Sequence, residues 1–387
     1  MDRPVTSPAA SASGPAAPPD SPAAAPAPPD PAEPPSPASD SPTSAPAPAS
    51  DEAIPTFLLR NVARYEEGVV SILDRRRYPF EVAWVACPTH EDVARAIEAM
   101  VTQSLGPGLC AGYAMVQAAR EARDRGAGFR PALDAAAARL VATRPTNADI
   151  RLTVAAMLAA VEDVADPADG ERILLGAIER RWADAHEHYR TVGRFGAALL
   201  HDGDTVLTHC WGESGLVYTL HAAVQAGKRL AVVCTETRPY LQGARLTADA
   251  VADLGLPVTV VTDGMPASLM DAGRIQVFIS GADRVTMDGH VVNKVGTLPL
   301  AIAAARFGVP YYPLCEGPDP AARGRADVVI EERDPAEVLH CLGVRTATEK
   351  AQGYYPAFDV TPPDLVAGVV TDRGVFAADR LADYFGG

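Results

Sequence analysis

The chain has 387 residues, a formal charge of −15 and six cysteines, none of them in a C-x-x-C pair. That length fits two or three domains at ~100–200 residues each. The acidic balance excludes nucleic acid as the main partner, because a phosphate backbone needs a basic face, and no run approaches the ~20 apolar residues that span a bilayer. Scattered cysteines argue against a zinc site or a disulfide framework and point to a reducing cytoplasm. The first residues lack the apolar stretch of a secretory signal.

Residues 1–52 are Pro, Ala, Ser and Asp with almost no large apolar side chain. Such a segment cannot offset its own ordering entropy by burial, so it reads as a disordered tail. The folded part begins near Ile54. Val69–Leu73 and Val82–Val85 read as short strands, and Asp74-Arg75-Arg76-Arg77 between them as a solvated basic turn. Thr89 caps a helix with Asp92 at its third position, and Val93, Ala96, Ile97 and Met100 recur at helical spacing. Gln103-Ser104-Leu105-Gly106-Pro107-Gly108 breaks that helix. Segments 109–123, 129–142, 149–164 and 170–200 are helical, which makes 53–200 a mostly helical N-terminal domain.

From residue 201 the pattern changes. Val206-Leu207, Leu230–Val233, Pro257–Val261 and Val277–Ile279 are apolar runs rich in β-branched residues, with helical segments at Gly215–Gln225 and Ala244–Leu254. Buried parallel strands alternating with helices make 201–387 a Rossmann-like α/β domain. A helix over Leu298–Phe307 and strands at Pro310–Leu314 and Asp327–Ile330 extend it. Polar clusters follow the strands: Thr208-His209-Cys210, Glu236 to Arg245, Gly281-Ala282-Asp283-Arg284, and Asn293-Lys294. In open parallel sheets, ligands bind at that edge.

These clusters, together with Glu331-Glu332-Arg333-Asp334-Pro335 and Pro356 to Pro362, resemble S-methyl-5-thioribose-1-phosphate isomerase of methionine salvage. That family is related to ribose-1,5-bisphosphate isomerase and to the α/β/δ subunits of translation initiation factor 2B. The resemblance runs from about Val69 to Val375 and is densest after Asp204. It implies a helical domain on a Rossmann-like domain, a homodimer, a sugar-phosphate ligand, and no metal or nucleotide cofactor. The loop after Cys210 does not read G-x-G-x-x-G, and no Walker A pattern occurs.

A ribose whose anomeric oxygen carries phosphate cannot open by itself to an aldehyde. An acid must protonate the ring oxygen, and hydrogen must then move from C2 to C1 as a proton or as a hydride. Asp283, after an apolar strand, is the candidate acid, because desolvation raises a carboxyl pKa; the alternative is a capping or ion-paired aspartate, with Arg284 the adjacent suspect. Cys210 stands at a strand-to-helix switch, where a helix N-terminus favours thiolate. As thiolate it takes a proton, as thiol it polarises the transition state, and the alternative is a buried structural cysteine. The resemblance assigns Asp283 as proton donor and Cys210 as transition-state stabiliser. It also makes Arg144, Gln242, Asn293 and Lys294 substrate-binding; His209 reads as structural. Two departures stand out. Gln103 falls where the family carries an arginine within Arg-Gly-Ala-Pro, which keeps Gln103 a candidate contact without the charge. Trp211-Gly212-Glu213 stands where Asn-Ala-Gly is expected, adding a carboxylate near an anionic ligand.

Overall fold

The computed structural model describes residues 54–386 apart from 127, 146 and 165–166. The reading of residues 1–52 as a tail therefore lies outside the described residues.

A helical turn, α1 (Phe57–Arg60), leads into an antiparallel sheet of β1 (Ala63–Glu66), β2 (Val69–Leu73) and β3 (Trp84–Cys87). The α2 helix (His90–Glu98) opens with a capping box, in which Thr89 accepts from the Asp92 N–H and Asp92 accepts from the Thr89 N–H. Val93, Ala96 and Ile97 face the core. The α3 helix (Gly106–Arg125) starts earlier than the loop reading allowed, with Pro107 in its first turn, where a missing N–H costs nothing. The helices α4 (Phe129–Thr143), α5 (Ala148–Ala160) and α6 (Pro167–Ala198) follow. Met115, Leu133, Leu140, Ile150 and Ile178 form the apolar centre they share.

The α/β part runs β4 (Thr205–Thr208), α7 (Glu213–Gln225), β5 (Ala231–Thr235), α8 (Ala248–Asp253), β6 (Val258–Val261), α9 (Pro266–Asp271), β7 (Val277–Gly281), β8 (Arg284–Val285), β9 (Val291–Lys294), α10 (Thr297–Arg306) and β10 (Tyr311–Leu314). Then come α11 (Ala336–Leu339), the hairpin β11 (His340–Cys341) and β12 (Val344–Arg345), β13 (Phe358–Thr361), β14 (Val369–Thr371) and β15 (Gly374–Phe376). The seven-stranded sheet has the order β15-β14-β10-β7-β4-β5-β6, parallel throughout except for β14–β15. Its strands are apolar on both faces because both are covered. Val206 and Ile279 pack towards Val192, Phe195 and Leu216, while Leu207 and Phe278 pack towards Leu300 and Tyr311. An antiparallel set, β13-β9-β8, lies apart from this sheet.

Two expected elements differ. Asp327–Ile330 is not a strand; a 3-10 turn over Arg325–Asp327 precedes irregular chain in which Val329 is 80% exposed, an apolar run with no sheet edge to join. The segment expected as helix from Ala244 begins instead as a π-turn, Gly243–Thr247. A Cβ on Gly243 would lie 1.8 Å from the Thr235 carbonyl, and the Arg245 Nη1 donates to the carbonyls of Arg75, Arg76 and Tyr78. Close approach on one side and a buried anchor on the other widen that turn. Among the described residues, no helix is long and apolar enough to cross a membrane.

Candidate active site at the switch point of the sheet

The strand order reverses between β4 and β7, and a crevice forms at the carboxyl ends of two such strands. Cys210 follows β4 and Asp283 follows β7, so the topology brings them to either side of that crevice. Both line one hollow of about 50 Å³, and Gln103, Arg144, Gln242, Asn293 and Lys294 line it too. Every residue singled out from the sequence for substrate chemistry thus meets in one place.

Backbone pairing sets most of these side chains. Antiparallel β9 and β13 place Asn293 opposite Asp359 and Lys294 opposite Phe358. The Lys294 Nζ donates to the Ala357 carbonyl at 3.0 Å and lies 4.4 Å from the Phe358 ring centre. Asn293 donates to Thr297 Oγ1 at 3.0 Å. The loop after β5 presents Gln242, whose Nε2 donates to Gln103 Oε1 at 3.2 Å. Arg144 ends α4 and reaches Glu331 at 3.6 Å. His209 ties the strand ends together. Its Nε2 donates to the Val295 carbonyl at 3.0 Å and its Nδ1 accepts from Thr235 Oγ1 at 2.6 Å. Burial lowers its pKa to about 4, so the ring is neutral and structural.

The reactive candidates sit in a shared field. Burial raises the Asp283 carboxyl above the usual carboxylate range, while Lys294, Arg144 and Arg333 pull the other way. The side chain lines the hollow and stays accessible to solvent, so a ligand can reach it. Arg284 does not pair with it; the guanidinium turns to Asp319 at 3.1 Å. Pairing of Asp283 with Arg284 is thereby removed. Burial pushes the Cys210 thiol up to about 11 against the opposing charge of Lys294. Cys210 is therefore a thiol near neutral pH, and the thiolate form expected from its place before a helix is not the resting one. The Lys294 ammonium is moved down, first by burial and then by Arg333.

Two expectations are corrected. The Asp74–Arg77 segment is not simply a solvated turn, because Arg75 is completely buried. Its Nη1 donates to the Gln103 carbonyl at 2.9 Å, and its Nη2 meets Glu213 Oε1 at 3.2 Å. Glu213 in turn accepts from the Leu105 N–H at 2.8 Å. The carboxylate expected to repel an anionic ligand is thus neutralised and used to fix the 103–105 loop. The sequence reading also left Arg333, Asn147 and Phe358 without a role, although all three line the hollow. The signal for Arg75 was Glu213 itself, a charge at the start of an apolar helix that demands a buried partner.

The parallel α/β sheet thus carries a carboxyl and a thiol at its switch point, with Arg144, Lys294 and Arg333 lining the same hollow. The chain belongs to the initiation factor 2 subunit family, whose model matches residues 107–378. It is 36% identical over 326 residues to the methylthioribose-1-phosphate isomerase of Pelotomaculum thermopropionicum, covering 80% of this chain and 88% of that one. With the enzyme of the same name from Thermotoga neapolitana it shares 38% identity over 317 residues, covering 79% and 91%. Among solved structures, 5-methylthioribose 1-phosphate isomerase from Pyrococcus horikoshii superposes with a TM-score of 0.74 at 30% identity, covering 84% and 96%. The delta subunit of initiation factor eIF-2B from A. fulgidus superposes with 0.71, also at 30% identity, covering 81% and 95%.

Proposed function

We propose that this chain is an intramolecular aldose–ketose isomerase that converts 5-methylthioribose 1-phosphate to 5-methylthioribulose 1-phosphate, a step of methionine salvage. Fold similarity does not choose between isomerase and initiation-factor subunit, because the two TM-scores are nearly equal. The observation that carries the reading is the meeting of Asp283 and Cys210 in one cation-lined hollow. A subunit that only binds has no need of a carboxyl and a thiol at one ligand hollow.

In this mechanism the neutral Asp283 protonates the ring oxygen, and the C1–O bond breaks. C1 becomes electron-poor and takes hydrogen from C2; the C2 hydroxyl loses its proton to the Asp283 carboxylate, and C2 becomes the ketone. A resting thiol at Cys210 favours migration of that hydrogen as hydride, with the sulfur polarising the transition state, over its removal as a proton. General acid–base assistance of this kind contributes ~10²–10⁴-fold. Arg144, Asn293, Lys294, Gln242 and Gln103 hold the substrate. We place the enzyme in the cytoplasm as a homodimer, with residues 53–200 as helical domain and 201–387 as catalytic domain.

The direct test is incubation with 5-methylthioribose 1-phosphate followed by NMR. Ketose should appear, and unchanged substrate at high enzyme concentration defeats the proposal. Deuterium at C2 should be retained at C1 in water; complete washout would instead establish proton transfer.

A further inference from the structure

The two walls of the hollow differ in charge. On one side stand Arg144, Lys294 and Arg333, with Asp283 and Glu331 among them. Arg333 is held firmly: its Nε donates to Glu331 Oε1 at 2.8 Å, its side chain is 10% exposed, and its guanidinium carbon lies 5.7 Å from the Phe358 ring centre and 5.9 Å from that of Tyr355. Glu331 also meets Arg144 at 3.6 Å, so one carboxylate holds both guanidinium groups in place. The three cations line one hollow, and Glu331 holds two of them where they can face a phosphate.

The other wall is uncharged. Gln103 Nε2, Gln242 Oε1 and Trp211 Nε1 are buried without a hydrogen-bond partner in the protein, on side chains at most 7% exposed. Gln103, Gln242 and Trp211 line the hollow with uncharged polar side chains, whose unpaired amide and indole groups are costly to leave buried. Behind them the Arg75–Glu213 pair cancels its own charge. A second phosphate on this side would lose its hydration and meet no free cation.

We propose that Arg333 is a further phosphate-binding residue, which completes with Arg144 and Lys294 a cradle for a single phosphate, while Gln103, Gln242 and Trp211 read uncharged hydroxyl groups. The substrate class is therefore a sugar monophosphate, and bisphosphates gain nothing. The phosphate assignment stands on the geometry; the sugar part rests on the isomerase reading above. Arginine suits the cradle because its rigid fork binds phosphate in a bidentate way.

The test measures inorganic phosphate binding to the full-length protein by calorimetry, with Arg333→Gln, Arg333→Lys and Glu331→Gln. Arg333→Gln should weaken phosphate at least ~10-fold, the factor that corresponds to 1.4 kcal/mol. Arg333→Lys should restore part of that loss, and Glu331→Gln, which keeps the cation, should cost less. With sugar phosphate, KM should rise more than kcat falls. Unchanged phosphate affinity in a folded Arg333→Gln protein overturns the assignment, as does a lowered melting temperature with affinity intact. Should that variant not fold, the unaltered protein still decides: ribose 1,5-bisphosphate should bind no tighter than ribose 1-phosphate, and a tenfold advantage refutes the neutral wall. Loss of phosphate binding on Arg333→Gln, with no sugar isomerised by the parent, would retain Arg333 and reject the isomerase.

Discussion

Breaking the Arg75–Glu213 pair tests how a buried ion pair fixes the 103–105 loop at the site. Arg75 is wholly buried and the Glu213 side chain is 5% exposed, with 3.2 Å between them. Arg75→Met leaves the Glu213 carboxylate with the Leu105 N–H but without its counter-charge. An uncompensated buried charge costs about 3–5 kcal/mol. At roughly 2–4 °C per kcal/mol for a chain of a few hundred residues, the melting temperature should fall by about 6–20 °C. The double variant Arg75→Met/Glu213→Leu strands no ion, only the Leu105 N–H and the Gln103 carbonyl, at about 1–3 kcal/mol each. It should be no less stable than Arg75→Met alone, and the double-mutant cycle should give a coupling of ~1–3 kcal/mol. Urea unfolding of the four proteins supplies the numbers. A single variant that melts within about 2 °C of the parent, or strictly additive losses, would refute the reasoning.

Asp283→Asn should reduce turnover by ~10³-fold or more while phosphate affinity stays within a few-fold; near-normal turnover dismisses the acid. Cys210→Ser should cost ~10²-fold in kcat. Because burial holds the thiol at about 11, its alkylation by iodoacetamide should quicken about tenfold per pH unit between pH 7 and 10; a plateau near pH 7 would show a resting thiolate. The Asp283 carboxyl is raised in the folded state, and the sign follows. Its neutral form is complete below the unfolded value of ~3.9, and both its catalytic use and its contribution to stability are lost as pH rises through the folded value. The kcat/KM profile should therefore fall on its alkaline limb, and Asp283→Glu should displace that limb; an unmoved limb assigns it to another group.

The strands and their order of chemistry were legible because both come from local pattern. Apolar β-branched runs end in polar clusters, and a parallel sheet puts those ends on one edge. The capping box of α2 is likewise written in four consecutive residues. What escaped is non-local. In Asp74-Arg75-Arg76-Arg77 nothing in the composition tells which arginine turns inward; Arg76 and Arg77 are 43% and 55% exposed, while Arg75 finds Glu213 across 138 positions of sequence. Arg333, set among Glu331, Glu332 and Asp334, looks like one charge of a surface cluster. Only the pairing of β13 with β9 carries Phe358 beside Lys294, with Arg333 close to that ring.

The distribution of backbone strain supports the same location by an independent route. Among the described residues, eight that are not glycine have positive φ; Met100, Ser104 and Cys210 line the hollow, and Glu213, Thr237 and Leu241 lie within a few residues of its lining. Such conformations cost of order 1–3 kcal/mol each and persist only where the surroundings over-determine them. Here they are over-determined. The Cys210 N–H donates to Thr237 Oγ1 at 2.9 Å and its carbonyl accepts from Thr247. The N–H groups of Thr237 and Arg238 both donate to Asp263 at 2.8 Å. Away from the hollow, four helix ends give the left-handed region to glycine: Gly227, Gly255, Gly273 and Gly308 follow helices, with open space where a Cβ would stand, while Glu67 and Leu342 also take positive φ. Glycine would relieve the strain at Cys210 as well, but it would remove the sulfur. Strain held in place by these hydrogen bonds around Cys210 supports the proposal that the working surface lies at the switch point.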